Sequence, residues 1–432
     1  MMIRRFVLLL LLTVCSTGLF AQTTREEMAA DLNRTGGVYL AYPTEIAAPT
    51  PVPQGYTPCY VSHYGRHGSR YLISDHDYKW VTDLFLRADS VNALSPLGKS
   101  LLDRLLIIAD ETDGRGGDLS PLGVRQHRGI AGRLFENYPQ IFSGDGKSVS
   151  ARSTLVVRCV LSMAAFCERL KELNPSLDVT RESSNRYMNY LCYHSPDHGD
   201  YTISGPRWKT LYDNFRESHT NPDRLMASLF SDPQFVSRNI EPKELMWGLY
   251  WIASDMQNME ADVTFYDFFT PEELFDLWQV FNLNFYINDA SFGGNGTKIT
   301  DNALPLIRNI IDSADEALGC DTIAATLRFG HDGNLIPLAA AMHIDNCDLV
   351  TSDPDSVFRY FVEWKIAPMA GNLQMVFFRN DTNPDDVLVK ILLNEEERHI
   401  PVADDLWPYY RWNDVRSYLV SLLEKEPILP TK

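Results

Sequence analysis

Positive charge is scarce in this chain of 432 residues. Lys and Arg together number 39, against 57 Asp and Glu, so the formal net charge at pH 7 is -18. An acidic body repels polyanions, which disfavours a general nucleic-acid or anionic-membrane surface and predicts no nucleic-acid partner. A site that binds an anion must therefore be a local basic pocket.

Apolar runs long enough to cross a bilayer are also lacking. The longest apolar run near the start, residues 6–14, follows Arg4 and Arg5 and is too short to span a membrane. Small residues come next and lead to Ala21. This order is typical of a secretory signal peptide at residues 1–21.

A lipid anchor is the alternative for this segment. Cys15 would be the lipidated residue, but it follows Val14, which is bulky where a small residue is needed. We therefore expect an exported protein, periplasmic or secreted, that makes no membrane contact after cleavage.

The chain has no C-x-x-C pair. Six cysteines follow residue 21, and an oxidising compartment permits disulfides among them, with the pairing left open. His63 and His67 form an H-x-x-x-H string near Cys59. No cysteine pair accompanies this string, and the segment is predicted to be strand and loop, so it gives only weak support for a zinc site. We expect no metal and no cofactor.

Strand and helix patterns divide the chain into three parts. Strands are predicted at residues 60–64, 322–329, 373–378 and 387–393, and the middle has helix signals with few strand patterns. Ser95, Ser120 and Thr270 each precede a proline and predict helix starts, and the capping box at Thr270 predicts a helix to about Leu283. We predict an α/β fold with a three-layer α/β/α sandwich core and a mostly helical inserted cap domain. The core is expected at residues 22–182 and 314–432, and the cap at 183–313.

Two polar clusters follow predicted strands. Arg66, His67 and Arg70 come directly after one strand, and His331 and Asp332 after another. Open α/β sheets bind ligands at the carboxyl ends of their strands. Guanidinium groups match phosphate oxygens, and a histidine between them can attack phosphorus. An aspartate beside them can protonate a leaving oxygen.

The first cluster resembles the R-H-G-x-R motif of the histidine acid phosphatases, the second branch of the histidine phosphatase superfamily. The second cluster resembles the H-D motif of that family, and residues 158–166 resemble the segment that supplies a further phosphate-binding arginine. The resemblance extends over residues 60–401 and thins in the middle. Residues 186–193, 368–373 and 389–401 are most similar to the multiple inositol polyphosphate phosphatases.

This resemblance implies a role for each residue of the two motifs. His67 would be the nucleophile, and Asp332 would protonate the leaving alcohol and then help to activate water. The phosphoryl oxygens would be bound by Arg66, Arg70, Arg158 and His331. Three arginines supply the charge that phosphoryl transfer needs, so no metal is required. Arg152 is the other candidate for the third arginine, but its spacing fits the family segment less well.

The substrate is less constrained than the reaction. Multiple inositol polyphosphate phosphatases usually carry an H-A-E motif, whereas this chain has His331, Asp332 and Gly333 at the matching positions. Inositol phosphates such as phytate are the expected substrates, and a broad-specificity or sugar-phosphate acid phosphatase is the alternative. A polyanion would need further cations, for which the candidates are Arg181, Arg186, Arg207 and Lys209.

Other functions remain to be weighed. A cysteine phosphatase is excluded because Cys59 and Arg66 are one residue too far apart. A non-catalytic anion-binding protein on the same fold stays open, although both the nucleophile and the acid are present. A phosphomutase is disfavoured by export. The oligomeric state is not readable from the sequence. The remaining histidines in these regions are expected to be hydrogen-bonded structural residues, namely His63, His127 and His194.

Overall fold

One mixed sheet of eight strands organises the protein. The computed structural model describes residues 23–424 except Asn346, so the predicted signal peptide lies outside the described residues. The strands are β1 (Tyr56–Arg66), β2 (Ser148–Ser153), β3 (Asp178–Ser183), β4 (Ile323–Gly330), β5 (Asn372–Asn380), β6 (Val387–Leu393), β7 (Glu396–Glu397) and β8 (Tyr409–Arg411). All four strands predicted from the sequence are confirmed, with β1 longer than expected at both ends.

The strand order brings the two polar clusters together. It is β3-β2-β4-β1-β5-β6-β7, with β8 paired to β6. Strands β1, β4, β2 and β3 run parallel, whereas β5 is antiparallel to β1. Arg66 at the end of β1 pairs with Gly330 at the end of β4. His67 and His331 therefore follow neighbouring strands at the same edge of the sheet.

Helices make up most of the remaining structure. The α-helices are α1 (Thr24–Ala30), α2 (Asp75–Ser90), α3 (Pro96–Thr112), α4 (Pro121–Asn137), α5 (Pro139–Phe142), α6 (Val157–Leu173), α7 (Met188–Leu191), α8 (Lys209–Ser218), α9 (Asp223–Leu229), α10 (Pro233–Asn239), α11 (Pro242–Asp255), α12 (Pro271–Asp289), α13 (Leu304–Leu318), α14 (Asp332–Ala341), α15 (Glu363–Ile366) and α16 (Trp412–Leu423). Shorter 3-10 segments lie at Leu32–Tyr39, Asn185–Tyr187, His198–Tyr201, Met256–Asn258, Tyr266–Phe268, Thr300–Ala303 and Pro354–Arg359.

The predicted helix starts follow from side-chain caps. Ser95 and Ser120 accept hydrogen bonds from backbone N–H groups in the first turns of α3 and α4, and proline occupies the first helical position in both. Thr270 opens α12 with the expected capping box. This helix continues to Asp289, beyond the predicted end near Leu283, because apolar residues continue along its buried faces.

Two helical layers cover the sheet, which confirms the three-layer core. Apolar side chains of α4, α5 and α6 pack with one face of the sheet, as Ile130, Phe142 and Phe166 do against Phe329 and Val61. On the other face, side chains of α13 and α16 join the larger core that includes the opposite residues of β1 and β5.

A helical region stands beside the sandwich. Between β3 and β4 the described residues form helices and loops, with no strand of the sheet. Helices α2 and α3 come from before this region, yet they pack on α11 and α9 respectively. The helical cap is thus confirmed as a feature of the fold, and its limits at residues 183 and 313 stay a prediction.

The described residues show neither disulfides nor a metal cluster. All six cysteines between Cys59 and Cys347 are free thiols. No group of three or more His, Cys, Asp or Glu residues in the described ranges is placed to hold a metal ion. Within residues 23–345 and 347–424, no helix is long and apolar enough to span a membrane.

The prediction that His63 is hydrogen-bonded is wrong. The rings of His63 and His127 are fully buried, and neither nitrogen of His63 forms a hydrogen bond. Each of the two rings contacts the Phe329 ring, and His63 also contacts Phe166. Burial lowers the pKa of both imidazoles to about 3, so they act as neutral aromatic packing residues beneath the sheet edge.

Candidate active site

The backbone after β1 is held on three sides. The His67 N–H donates to Gly330 O (3.0 Å), and the His67 carbonyl accepts from the Ala370 N–H (2.9 Å). The Gly68 N–H donates to the Ser162 hydroxyl (3.1 Å). A Cβ at Gly68 would lie 2.6 Å from the Gly123 backbone, so glycine is required where α4 approaches the loop.

The His67 ring has a defined tautomer. Its Nδ1 lies 2.9 Å from Gly68 O, and because a carbonyl only accepts, Nδ1 carries the hydrogen. Nε2 is then left with its lone pair. Burial, followed by the positive charges of Arg66 and Arg70, lowers the pKa of this imidazole well below 6.5. The ring is therefore neutral and able to act as a nucleophile even in mild acid.

Arg66 and Arg70 are oriented by contacts with remote segments. The buried Arg66 guanidinium donates through Nη1 to the carbonyls of Val38 (2.5 Å) and Ala367 (2.8 Å). Arg70 donates to the Tyr39 hydroxyl (3.2 Å), and its guanidinium carbon lies 4.8 Å from the centre of the Tyr39 ring. The segment Leu32–Tyr39, to which the sequence assigned no role, thus positions both arginines.

Arg158, rather than Arg152, joins this cluster. Burial and then Arg70 lower the pKa of Arg158, which therefore lies within the field of the other cations. Arg152 pairs with Glu182 at 3.3 Å and lies over the Tyr187 ring. The preference for Arg158 agrees with this placement.

Three buried donors of the cluster lack partners. The Nε atoms of Arg66, Arg70 and Arg158 form no hydrogen bond in the described part of the chain. Buried donors are normally satisfied, because an unmade hydrogen bond costs about 1–3 kcal/mol. Three unsatisfied guanidinium donors around one imidazole therefore point to an anion as the natural ligand.

Exchanging each arginine for methionine tests this distinction. Arg158→Met is expected to raise the inhibition constant of inorganic phosphate about 10- to 100-fold, the loss expected for a charged hydrogen bond. Arg152→Met is the matched control, and we expect a change of less than about threefold because its partners lie outside the cluster. Equal effects of the two substitutions would contradict the assignment.

His331 and Asp332 approach the same point from β4. The His331 ring centre lies 5.8 Å from that of His67, and its Nε2 lies 3.1 Å from the Thr154 hydroxyl. Burial lowers the pKa of His331 to about 4. Asp332 Oδ2 lies 2.7 Å from Arg66 Nη2, while Oδ1 accepts from the Gly333 N–H (2.9 Å). Burial acts to raise the pKa of Asp332, but Arg66 and His331 lower it and the net shift is downward.

A second carboxyl, absent from the sequence predictions, lies beside Asp332. Asp289 ends α12, and a Cβ built on Gly333 would lie 3.1 Å from Asp289 Oδ1. Burial, and then the Asp332 carboxylate, raise the pKa of Asp289 well above 3.8. The available sequence signal was an acid at a helix C-terminus, where the helix dipole disfavours negative charge.

A cavity of about 300 Å³ opens beside the cluster. Arg70 and Asp332 form part of its wall, and most of the rest is apolar or aromatic. The other lining residues are Val38, Tyr39, Leu72, Asp77, Trp251, Phe281 and Phe285. None of the four additional cations proposed from the sequence lines this cavity.

A larger cavity, of about 1340 Å³, lies away from this chemistry. Its walls mix both charge signs, with Glu27, Arg34, Lys365 and Arg398 among them, and none of the predicted site residues lines it. Volume alone therefore does not locate the active site. The convergence of His67, the arginines and Asp332 instead marks the smaller cavity as the candidate site.

A neutral imidazole beside three arginines and an aspartate is an arrangement suited to the hydrolysis of phosphate esters. The chain belongs to the histidine phosphatase superfamily, branch 2, whose family model matches residues 65–394. It is thus a phosphomonoester hydrolase. The family predicted from the two motifs is confirmed.

Solved structures share this fold at low sequence identity. The multiple inositol polyphosphate phosphatase of Bifidobacterium longum, in complex with inositol hexasulfate, has a TM-score of 0.68 at 18% identity, covering 89% of this chain and 97% of that one. The phytase from D. castellii has a TM-score of 0.61 at 14% identity, covering 91% and 85%. The Hafnia alvei phytase reaches 0.52 at 13% identity, covering 87% and 98%. By sequence alone, no curated protein is significantly similar to this chain.

Proposed function

We propose that the protein hydrolyses phosphomonoesters through a phosphohistidine intermediate at His67. The observation that carries this proposal is the Nδ1 hydrogen bond to Gly68 O, which leaves the Nε2 lone pair free. The low pKa of the ring supports it, because a protonated imidazole cannot attack phosphorus.

Each step can be assigned to a side chain of the cluster. Nε2 of His67 forms a bond to phosphorus as the bond to the ester oxygen breaks, and Asp332 gives its proton to the leaving alcohol. Water then attacks phosphorus, Asp332 takes a proton from it, and the P–N bond breaks to release phosphate and free His67. The phosphoryl oxygens are bound by Arg66, Arg70, Arg158 and His331.

The protonation of Asp332 predicts an acidic pH optimum. Arg66 lowers the pKa of this carboxyl in the free protein, and a bound phosphate raises it by repulsion. The acid form is therefore lost as pH rises, whereas His67 stays neutral well below pH 6.5. We expect kcat to be greatest in mild acid and to fall towards neutral pH. A pH–rate profile with its maximum above pH 8 would contradict the role of Asp332.

Inositol phosphates, including phytate, are the substrate class that we propose. Support comes from two fold neighbours, a multiple inositol polyphosphate phosphatase in complex with inositol hexasulfate and a phytase in complex with myo-inositol hexakis sulphate. The small, largely apolar cavity instead favours the second candidate, a broad-specificity or sugar-phosphate acid phosphatase. Phosphate release from phytate, glucose 1-phosphate and p-nitrophenyl phosphate compares them directly.

The sequence left open a non-catalytic anion-binding protein, an alternative that membership of the phosphatase family disfavours. It would bind phosphate through the same cations without releasing it from esters. Hydrolysis of p-nitrophenyl phosphate by the wild type, absent from His67→Ala, supports catalysis, while binding of phosphate without any hydrolysis refutes it.

We also propose that the protein acts after export. The order of charged, apolar and small residues over residues 1–21 supports this. Cell fractionation with N-terminal sequencing tests it, and a mature protein beginning at Gln22 outside the cytoplasm is the expected result.

A further inference from the structure

Aromatic side chains from three segments form one wall of the cavity beside His67. Tyr39 comes from the N-terminal 3-10 segment, Trp251 from α11, and Phe281 and Phe285 from α12. The Trp251 and Phe281 ring centres are 4.8 Å apart, and those of Phe281 and Phe285 are 5.2 Å apart. Tyr39 contacts both Trp251 (6.3 Å) and Phe281 (6.2 Å). We call these four residues the aromatic wall.

The aromatic wall is packed together and partly exposed. Tyr39 and Phe281 are almost buried, whereas Trp251 and Phe285 are half-buried. Tyr39 also supports the Arg70 guanidinium. Tyr39 therefore joins the wall to the phosphate-binding cations, and a group that is attached to a bound phosphate and enters the cavity would meet aromatic side chains.

The charges around this cavity do not suit a second phosphate. Among the described residues that line it, Arg70 is the single cation, whereas Asp332 and Asp77 are acidic. The Asp77 carboxylate is fixed by a capping bond, because it accepts from the Ser74 N–H at 3.1 Å. An additional phosphate in the cavity would lose water without gaining a cation.

Three of the four extra cations named from the sequence have other contacts. Arg207 lies over the Tyr201 ring at 4.7 Å, and Arg186 lies near the Tyr187 ring. Lys209 pairs with the neighbouring helical residue Asp213. The fourth, Arg181, is exposed on the edge strand β3. None of them extends the phosphate-binding cluster into the cavity.

We propose that the aromatic wall selects esters with one phosphate on a ring that has an apolar face. This rests on the proposed phosphatase activity and narrows the proposed inositol phosphates to monophosphates, so that phytate becomes a poorer substrate. The C–H face of a cyclitol or sugar ring, or the face of an aryl ring, packs on Trp251 and Phe285 while Arg70 and its neighbours hold the phosphate. A ring phosphorylated at every carbon would instead place charged groups against the wall and against Asp77.

Wild-type kinetics give the first test. We compare kcat/KM for myo-inositol 1-phosphate, phenyl phosphate, acyclic glycerol 2-phosphate and phytate at one pH. The inositol monophosphate is expected to exceed glycerol 2-phosphate, also an ester of a secondary alcohol, by about tenfold, as one aromatic contact predicts. We expect kcat/KM for phytate to be lower than for the inositol monophosphate. Phenyl phosphate shows whether the protein prefers an aryl or an alicyclic ring. Phytate as the best substrate would overturn the proposal.

Two substitutions in the wall give the second test. Trp251→Leu and Phe285→Leu are each expected to raise KM for myo-inositol 1-phosphate by about tenfold with little change in kcat, because the wall contacts the leaving group. The KM and kcat for glycerol 2-phosphate should stay within about twofold of the wild-type values, which also shows that the variant is folded. Phe235→Leu, a half-buried phenylalanine on α10 outside the cavity, is the matched control.

The possible outcomes separate the two proposals. Equal losses for the ring and acyclic substrates refute the selective role of the wall. A wild type that cleaves none of the four esters refutes the phosphatase proposal itself. If a variant fails to fold, the wild-type ranking of the substrates decides the question. A ring monophosphate as the best substrate then supports selection by the aromatic wall.

Discussion

His67→Ala is expected to lower kcat for phosphomonoesters by about 10⁴-fold or more, as removal of a covalent nucleophile does in other enzymes. The side chain would supply the bond that carries the phosphoryl group, and no other imidazole takes its place. His331 is held by Thr154 in another orientation, and His63 is buried beneath the sheet edge. Steady-state release of p-nitrophenol measures the effect.

The same variant should still bind inorganic phosphate. Arg66, Arg70 and Arg158 remain, so the dissociation constant measured by calorimetry should change by less than about tenfold. His219→Ala, at the end of α8 and outside the cluster, is the control and should keep full activity. A His67→Ala enzyme with more than a tenth of wild-type activity would contradict the nucleophile assignment.

Asp332→Asn is expected to discriminate between leaving groups. General acid catalysis contributes about 10²–10⁴-fold, and an amide cannot supply the proton. An alkyl ester needs that proton, because an alkoxide is a poor leaving group, whereas p-nitrophenolate leaves more readily without it. We expect the loss of kcat to be at least about tenfold greater for glycerol 2-phosphate than for p-nitrophenyl phosphate.

A structural role for Asp332 would not give this pattern. Loss of its ion pair with Arg66 would lower kcat equally for the alkyl and the aryl ester. Asp276→Asn on α12 is the matched control, since that carboxyl is also partly buried but lies outside the cavity. Identical losses for the alkyl and aryl esters would refute the acid assignment.

The two sequence motifs predicted side chains that the structure brings together at one edge of the sheet. They could do so because each follows a parallel strand, and adjacent parallel strands end at the same edge, as Arg66 and Gly330 do. Helix starts at Ser95, Ser120 and Thr270 were predicted for a local reason, since capping depends on residues three positions apart.

The surroundings of the site were not predictable in the same way. Tyr39, Trp251 and Asp289 come from segments far apart in the chain, and their contacts depend on how the cap packs against the sandwich. The buried histidines show the same limit. His63 carries no local sign that burial leaves it unpaired, because its environment is built by Phe166 and Phe329.

A covalent phosphoryl group on His67 is the central claim of the account, and rapid quenching with ³²P-labelled substrate tests it most directly. The reaction is run at acidic pH and stopped during turnover with strong base, and the protein is then mapped by peptide analysis. The label should be on the peptide that contains His67. The bond should be stable to base and labile to acid, as expected for a phosphohistidine. Label on a different side chain, or no labelled protein during active turnover, would contradict the account.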